Sequence, residues 1–206
     1  MPQTTSLPDD ITWLGLDNVP RKFSVNQVWD SIRPRSICVN WFRIVWYSQC
    51  VSKHAFLLWI LMGERLKTQD KLKSWEIHNV PLFCPLCKLR HDSHDHLFSE
   101  CIYANKVWKK AVAFTCLPMV SNWKVVCNYL MPTAGRNTVN MVVAKLVFGA
   151  VVYAIWQERN NRLFKKFHHS KVKLFEDVFS TVRLKLMSIK FKNSAKVERM
   201  KTTWQL

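Results

Sequence analysis

The sequence predicts a mainly α fold, and three observations favour it. Hydrophobic residues make up 49% of the 206 residues and aromatic residues 13%, so the chain has enough apolar surface to form a core. Only four glycines occur, which disfavours tight hairpins and glycine-rich phosphate loops because both need backbone at positive φ. Apolar residues also recur three and four positions apart along several segments, as expected of helices that pack on a core.

The first predicted helix follows residues 1–22, which we interpret as an N-terminal arm. Ser24 and Gln27 form a capping-box pattern at its start. Pro34 ends the helix, because proline lacks a backbone N–H and restricts the residue before it. The apolar face of this helix consists of Val25, Val28, Trp29 and Ile32.

Two more apolar stretches come next. Residues 41–46, WFRIVW, fit a helix or a strand, whereas residues 53–66, KHAFLLWILMGERL, have the spacing of a helix. Thr68 is a candidate cap for one further helical turn in residues 68–75.

Residues 84–101, CPLCKLRHDSHDHLFSEC, concentrate three of the seven cysteines and three of the seven histidines. A structural zinc site has four ligands, and a C-x2-C pair supplies two thiolates from one turn. A histidine and a cysteine separated by four residues can complete the set where a helix starts. The predicted ligands of a structural Zn²⁺ ion are Cys84, Cys87, His96 and Cys101. His94 stays open as an alternative to His96.

Two other interpretations of this segment compete with a structural metal site. One is a loop of unligated thiols. The other is a catalytic zinc, which would need an open coordination position beside a general acid or base; we interpret Asp92, Asp95 and Glu100 as solvated loop charges instead, and predict no enzymatic activity. Core positions are predicted for the remaining cysteines and for three tryptophans at helical spacing: Cys38, Cys50, Cys116, Cys127, Trp29, Trp59 and Trp108.

The second half of the chain divides into a connector and two long helices. A helical stripe after Cys101 closes a zinc-stapled helical domain at residues 23–115, and two prolines and a glycine make residues 116–138 a loosely structured connector. The apolar run 141–156 falls short of the roughly 20 residues that a bilayer requires, so it predicts a buried helix and no membrane span. A basic helical C-terminal region follows at residues 139–206.

The chain is strongly basic, with 31 Lys and Arg against 14 Asp and Glu and a formal charge of +17. Residues 158–201 hold thirteen basic and four acidic residues, so they carry +9 of that charge. Ser170 caps the predicted helix of this region, whose apolar face is Phe175, Val178, Val182, Leu186 and Ile189. A dense basic face favours phosphate binding through counterion release. The candidate phosphate-binding residues are Arg159, Arg162, Lys165, Lys166, Lys171, Lys173, Arg183, Lys185, Lys190 and Lys192.

Several blocks of the sequence together resemble the reverse transcriptase zinc-binding domain of plant non-LTR, LINE-like retrotransposon polyproteins. The resemblance rests on CPLC followed by HDHLFSEC, on FSVNQVWDSI at residues 23–32 and on the tryptophan-rich residues 41–72. VVYAIWQERNNRLF, residues 151–164, resembles a block that follows this domain in many such polyproteins. A Tyr-x-Asp-Asp polymerase motif is absent, since the four tyrosines are followed by SQC, ANK, LMP and AIW.

We therefore expect a non-enzymatic zinc-binding module, derived from such a polyprotein, that binds RNA or DNA through phosphate contacts. In an intact element, the resemblance implies that the module helps the polymerase to hold template RNA or target DNA. The alternatives are a protein–protein interaction scaffold and a retroelement remnant without function. The start of the chain, MPQTTSLPDDITW, lacks the basic and then apolar run of a secretory signal, so the expected location is intracellular, nuclear or cytoplasmic.

Overall fold

The structure, a computed structural model, describes residues 12–15, 17–34, 37–72, 82–165 and 167–206. The chain divides into two compact units, Met1–Cys38 and Val39–Leu206. Helices dominate the described residues, which confirms the predicted mainly α class.

The first unit contains a two-stranded antiparallel ribbon and one helix. Strand β1 (Thr12–Leu14) pairs with β2 (Pro20–Lys22), and helix α1 (Val25–Ile32) follows. Helix α1 begins where the sequence predicts, but the side chain of Ser24 accepts no hydrogen bond. Trp29 is 57% exposed, so the prediction that it lies in the core is wrong.

The second unit is a bundle of helices around one core. Its long helix α7 contacts α3, α5 and α8. The last helix, α9, also packs against α7. The helices are α2 (Phe42–Val45), α3 (Ser52–Met62), α4 (Gln69–Leu72), α5 (Ile102–Val112), α6 (Trp123–Leu130), α7 (Val139–Asn160), α8 (Lys171–Met187) and α9 (Ala195–Trp204). Two π-helical turns and one 3₁₀ turn adjoin them: His96–Glu100, Asn161–Lys165 and Met131–Thr133.

Helix α7 is the predicted buried helix. Its side chains from Val142 to Val152 are buried without interruption, which explains why its sequence lacks a polar face. Gly149 brings α3 close, since a Cβ atom there would lie 3.4 Å from the Cβ of His54. By length and composition, Val139–Lys165 is the one helix of the described residues that is apolar enough to cross a membrane, and 72% of its apolar window is buried inside the protein.

The predicted connector contains helix α6. Asn122 caps this helix by accepting hydrogen bonds from the backbone N–H groups of the next turn, and Trp123 and Leu130 are buried in the core. Residues 116–138 lie inside the second unit. The apolar spacing of α6 decides its structure here, which corrects the prediction of a loosely structured stretch.

The C-terminal helices follow the sequence pattern closely. Ser170 caps α8 as predicted by accepting a hydrogen bond from the backbone N–H of Lys173 at 3.1 Å. Three of the five predicted apolar positions of α8, Val178, Val182 and Leu186, are buried. Helix α9 adds Trp204, whose ring stacks on Phe179 with centroids 4.8 Å apart.

Core positions were predicted for the isolated cysteines and for Trp59 and Trp108, and the structure buries only some of these residues. Trp108 and Cys127 are buried, as predicted, and Cys50 is half-buried. Trp59 is 40% exposed, and Cys38 and Cys116 are exposed, so the prediction is wrong for these three. Helical spacing identifies a face of a helix but does not show how wide the buried part of that face is.

Candidate metal centre

A short hairpin, residues 82–92, presents the first two candidate ligands. The backbone N–H of Cys84 donates to the carbonyl of Arg90 at 2.7 Å, which closes the hairpin. Lys88, at the turn, has φ 58°, and its N–H donates to the carbonyl of Cys84 at 2.8 Å. The left-handed backbone conformation of Lys88 reverses the chain direction, so that Cys84 and Cys87 lie on the same side of the hairpin.

The other two candidate ligands flank a π-helical turn, His96–Glu100. The backbone N–H of Cys101 donates to the carbonyl of His96 at 2.7 Å, which is the i to i+5 bond of a π-helix. A spacing of five positions therefore brings the two side chains to one side of the turn. Cys101 is also the N-cap residue directly before α5, and its backbone angles are extended.

The four side chains converge on one point. Their ligand atoms all lie within 4.8 Å of one another; Cys84 Sγ is 3.9 Å from Cys101 Sγ, and Cys87 Sγ is 3.2 Å from His96 Nε2. Tetrahedral zinc with ordinary bond lengths separates its ligand atoms by about 3.3–3.8 Å. The group can therefore hold a metal ion with small side-chain adjustments. All four coordination positions of a bound ion would then be occupied by protein side chains, as in structural metal sites.

His94, the open alternative, lies outside this group. Its ring packs against Phe98 and Trp123, with centroids 5.5 and 5.3 Å apart, and neither ring nitrogen has a hydrogen-bond partner. Burial lowers its pKa, so the ring is an uncharged part of the core. The geometry places His96 with the cysteines.

The electrostatics of the site suit a cation. The thiol of Cys84 donates to the sulfur of Cys101, which raises the pKa of Cys84 and lowers that of Cys101, and backbone N–H groups at the start of α5 lower the latter further. Burial lowers the pKa of His96, so its ring is neutral, as metal binding requires. A carboxylate oxygen of Glu100 lies 3.7 Å from His96 Nδ1, where it can orient the ring.

The comparison with protein families agrees with this geometry. Residues 23–108 match the family zf-RVT, zinc-binding in reverse transcriptase. The match covers under half of the 206 residues, includes all four candidate ligands and contains no polymerase domain. Searches of curated proteins and of solved structures found no match. The segment that matches this zinc-binding family, called the zf-RVT segment below, therefore contains three cysteines and a histidine that could hold a metal ion.

Asp92 ties the zf-RVT segment to α7. Its side chain is fully buried, forms an ion pair with the equally buried Arg159, and accepts a hydrogen bond from the backbone N–H of Gln69 at 2.9 Å. It therefore caps α4 in place of Thr68, whose hydroxyl has no partner. The interpretation of Asp92 as a solvated loop charge is wrong, and Arg159 is not available to a phosphate.

Glu158 and Arg162 tie the cysteine turn to the end of α7. The buried carboxylate of Glu158 accepts from Arg162 Nε at 2.7 Å and from the backbone N–H of His169 at 2.9 Å. Arg162 also donates to the carbonyl of Leu86, between the first two cysteines, at 3.1 Å. Arg162, a predicted phosphate ligand, is thus engaged in holding the hairpin.

The structure distributes the other candidate phosphate-binding residues over the C-terminal part of the chain. Lys173 pairs with Asp177, and Arg183 donates to the carbonyl of Gln205. Lys166 lies outside the described residues. Lys165, Lys190 and Lys192 are exposed, whereas Lys171 and Lys185 are half-buried.

Sequence reasoning missed the lysines of α5. Lys106 and Lys110 lie about one turn apart on α5, and both are exposed. Lys110 Nζ lies 5.8 Å from the ring of Phe175 on α8, and Lys171 Nζ lies 5.8 Å from the ring of Tyr103 on α5. We name Lys106, Lys110 and Lys171 the α5–α8 basic surface. The sequence could have identified Lys106 and Lys110 as surface cations, because their spacing puts both opposite the apolar stripe of α5.

Proposed function

We propose that this protein is a non-enzymatic module whose fold is stabilised by a structural zinc ion and which binds nucleic acid through phosphate contacts. The observation that carries the proposal is the convergence of three cysteine sulfurs and one imidazole in the zf-RVT segment. Three thiolates and an imidazole are a typical donor set for structural zinc. Thiolates of this kind persist in a reducing compartment, so we place the protein inside the cell.

The nucleic-acid part of the proposal is supported by charge. The chain carries +17, and the α5–α8 basic surface gathers cations that have no ion-pair partner among the described residues. Lys165, Lys190 and Lys192 add further exposed cations. Polyanion binding at such a surface releases counterions, which makes the affinity fall as salt rises.

The test combines metal analysis with a salt titration of RNA and DNA binding. Replacing all three lysines of the α5–α8 basic surface with alanine should reduce the slope of log affinity against log salt by about 2 for a single strand. The matched control replaces three other exposed cations, Arg65, Lys67 and Arg136, and should leave more of that slope intact. Equal effects of the two triple variants would place the contacts elsewhere, and salt-independent binding would reject phosphate contact altogether.

A protein-interaction scaffold is the second candidate, and one observation favours it. Phe56 and Trp59 on α3 are 55% and 40% exposed, with ring centroids 5.9 Å apart. Exposed aromatic pairs of this kind are enriched at protein interfaces. Binding of a protein partner there would weaken on replacement of Phe56 and Trp59 with serine and would respond little to salt.

A further inference from the structure

A small cavity of about 160 Å³ lies between α3, α7 and α8 in the second unit. One wall is a row of side chains on α7 and the turn that follows it, at positions i, i+4 and i+8: Tyr153, Gln157 and Asn161. Thr181 of α8 and His54 of α3 line the cavity as well. Its volume is below that of pockets for drug-sized ligands, and it suits one planar ring system.

The polar side chains around this cavity are unused by the fold. Gln157, Asn161 and Thr181 are half-buried, and their side chains form no hydrogen bond with any other described residue. Fully buried polar groups normally have a partner, whereas these half-buried side chains remain open to solvent or to a ligand. Side-chain amides offer a donor and an acceptor next to each other, the combination that bonds to the edge of a nucleobase.

An aromatic surface adjoins these amides. The rings of His54 and Tyr153 lie 4.7 Å apart, and Lys53 Nζ lies 5.1 Å from the centroid of the Tyr153 ring. Unpaired bases stack on tyrosine rings in many single-strand binding proteins, and Tyr153 is the half-buried ring of this pair, whereas His54 is buried behind it. The exposed Lys53 puts a positive charge where the adjoining phosphate would lie.

The charges inside the cavity select against a phosphate. Glu158 and Asp177 both contribute to the lining. Glu158 is engaged by Arg162 and His169, and Asp177 by Lys173. Because both carboxylates are paired with cations, this part of the lining has little net charge, which suits a neutral ring better than a phosphate. The cavity therefore fits a base, with its phosphates left outside.

We propose that this cavity holds one unpaired nucleobase of single-stranded RNA or DNA, with Gln157 and Asn161 bonded to its edge and Tyr153 in contact with its ring. The inference rests on the proposed function and deepens it, because it explains how a phosphate-binding module would prefer single strands to duplexes. It also assigns a role to Gln157 and Asn161, which take no part in the contacts between α7 and the metal hairpin.

The experiment compares a short single-stranded DNA with an abasic oligonucleotide of the same length and charge, using the zinc-loaded full chain. The wild-type protein should bind the DNA with bases about 10-fold more tightly. The double variant Gln157→Ala, Asn161→Ala should bind the two nearly equally, whereas the control Asn128→Ala, Asn193→Ala, with two exposed amides outside the cavity, should keep the preference. Gln157→Glu, which keeps the side-chain volume and adds a charge, should also lose the preference, and melting curves of all variants check folding.

The outcomes separate the two proposals. If the wild-type protein binds both oligonucleotides equally, phosphate binding stands and the base-binding cavity is rejected. If the protein binds neither, both are rejected. If the double variant and its control keep the same preference, bases are recognised elsewhere and the cavity proposal fails.

Discussion

His94 and His96 are two positions apart, and their surroundings give them different roles. The His96 ring lies 3.2 Å from the sulfur of Cys87, and a carboxylate stands behind it. The His94 ring packs against Phe98 and Trp123 and lies outside the group of candidate ligands. The sequence alone left both open because each can reach a tetrahedral site on paper, and only the π-helical turn decides between them.

We expect His96→Ala to lower the zinc content of the purified protein well below one ion per chain, because three sulfurs alone leave the tetrahedron incomplete. The matched variant His94→Ala removes a core ring and should lower stability while keeping stoichiometric zinc. Elemental analysis of both variants checks this. Retention of zinc by His96→Ala together with its loss from His94→Ala would reverse the assignment.

His54 makes the stability of the second unit depend on pH. Burial lowers its pKa from 6.5 to about 4, so the unfolded chain takes up a proton between these values that the folded protein does not. The free energy of unfolding should therefore fall as the pH drops through this window. Urea unfolding of the wild type and of His54→Leu at several pH values measures how the free energy of unfolding depends on pH. The variant should show the weaker pH dependence, and His168→Leu, which removes an exposed histidine, should resemble the wild type.

Helix α7 is the element on which the metal hairpin depends. It contacts five other helices of the second unit, and its last turn supplies Glu158 and Arg159 to the hairpin side. The sequence predicted the helix itself from its apolar composition. It could not predict the role of its charged end, because the partner of Arg159 is 67 residues away and no local spacing encodes such a pair.

Breaking the ion pair between α7 and the hairpin should be costly. We expect Arg159→Leu to reduce the free energy of unfolding by about 3–5 kcal/mol, because it leaves the buried carboxylate of Asp92 without a counter-charge. Lys173→Ala breaks an exposed pair and should leave the free energy of unfolding nearly unchanged. Denaturant unfolding of the zinc-loaded proteins gives both values. A similar small cost for both variants would mean that water reaches Asp92.

For the whole molecule, local patterns predicted more than long-range ones. Apolar spacing predicted helices α3, α5, α7 and α8. The C-x2-C pair and the histidine and cysteine that follow it predicted the group of candidate ligands. The predicted boundary between a zinc domain and a basic C-terminal region falls inside one compact unit, Val39–Leu206. Prolines and a glycine suggested a connector, but burial of Trp123 and Leu130 outweighs them.

Removing the metal should unfold much of the second unit. Structural zinc contributes about 10–16 kcal/mol in finger peptides, comparable with the about 5–15 kcal/mol net stability of a whole domain. Addition of a strong chelator should therefore reduce the helical circular dichroism signal and lower the melting temperature, and added zinc should restore both. An unchanged spectrum and melting curve after complete removal of the metal would exclude a structural role.

The bond from Arg162 to the carbonyl of Leu86 joins residues 76 positions apart. A recombinant fragment that ends at Trp108 would keep all four candidate ligands and lose the end of α7, which packs behind the hairpin. Water and oxidants would then reach thiolates that the full chain shelters. Such a fragment should bind less metal and oxidise faster in air than the full chain.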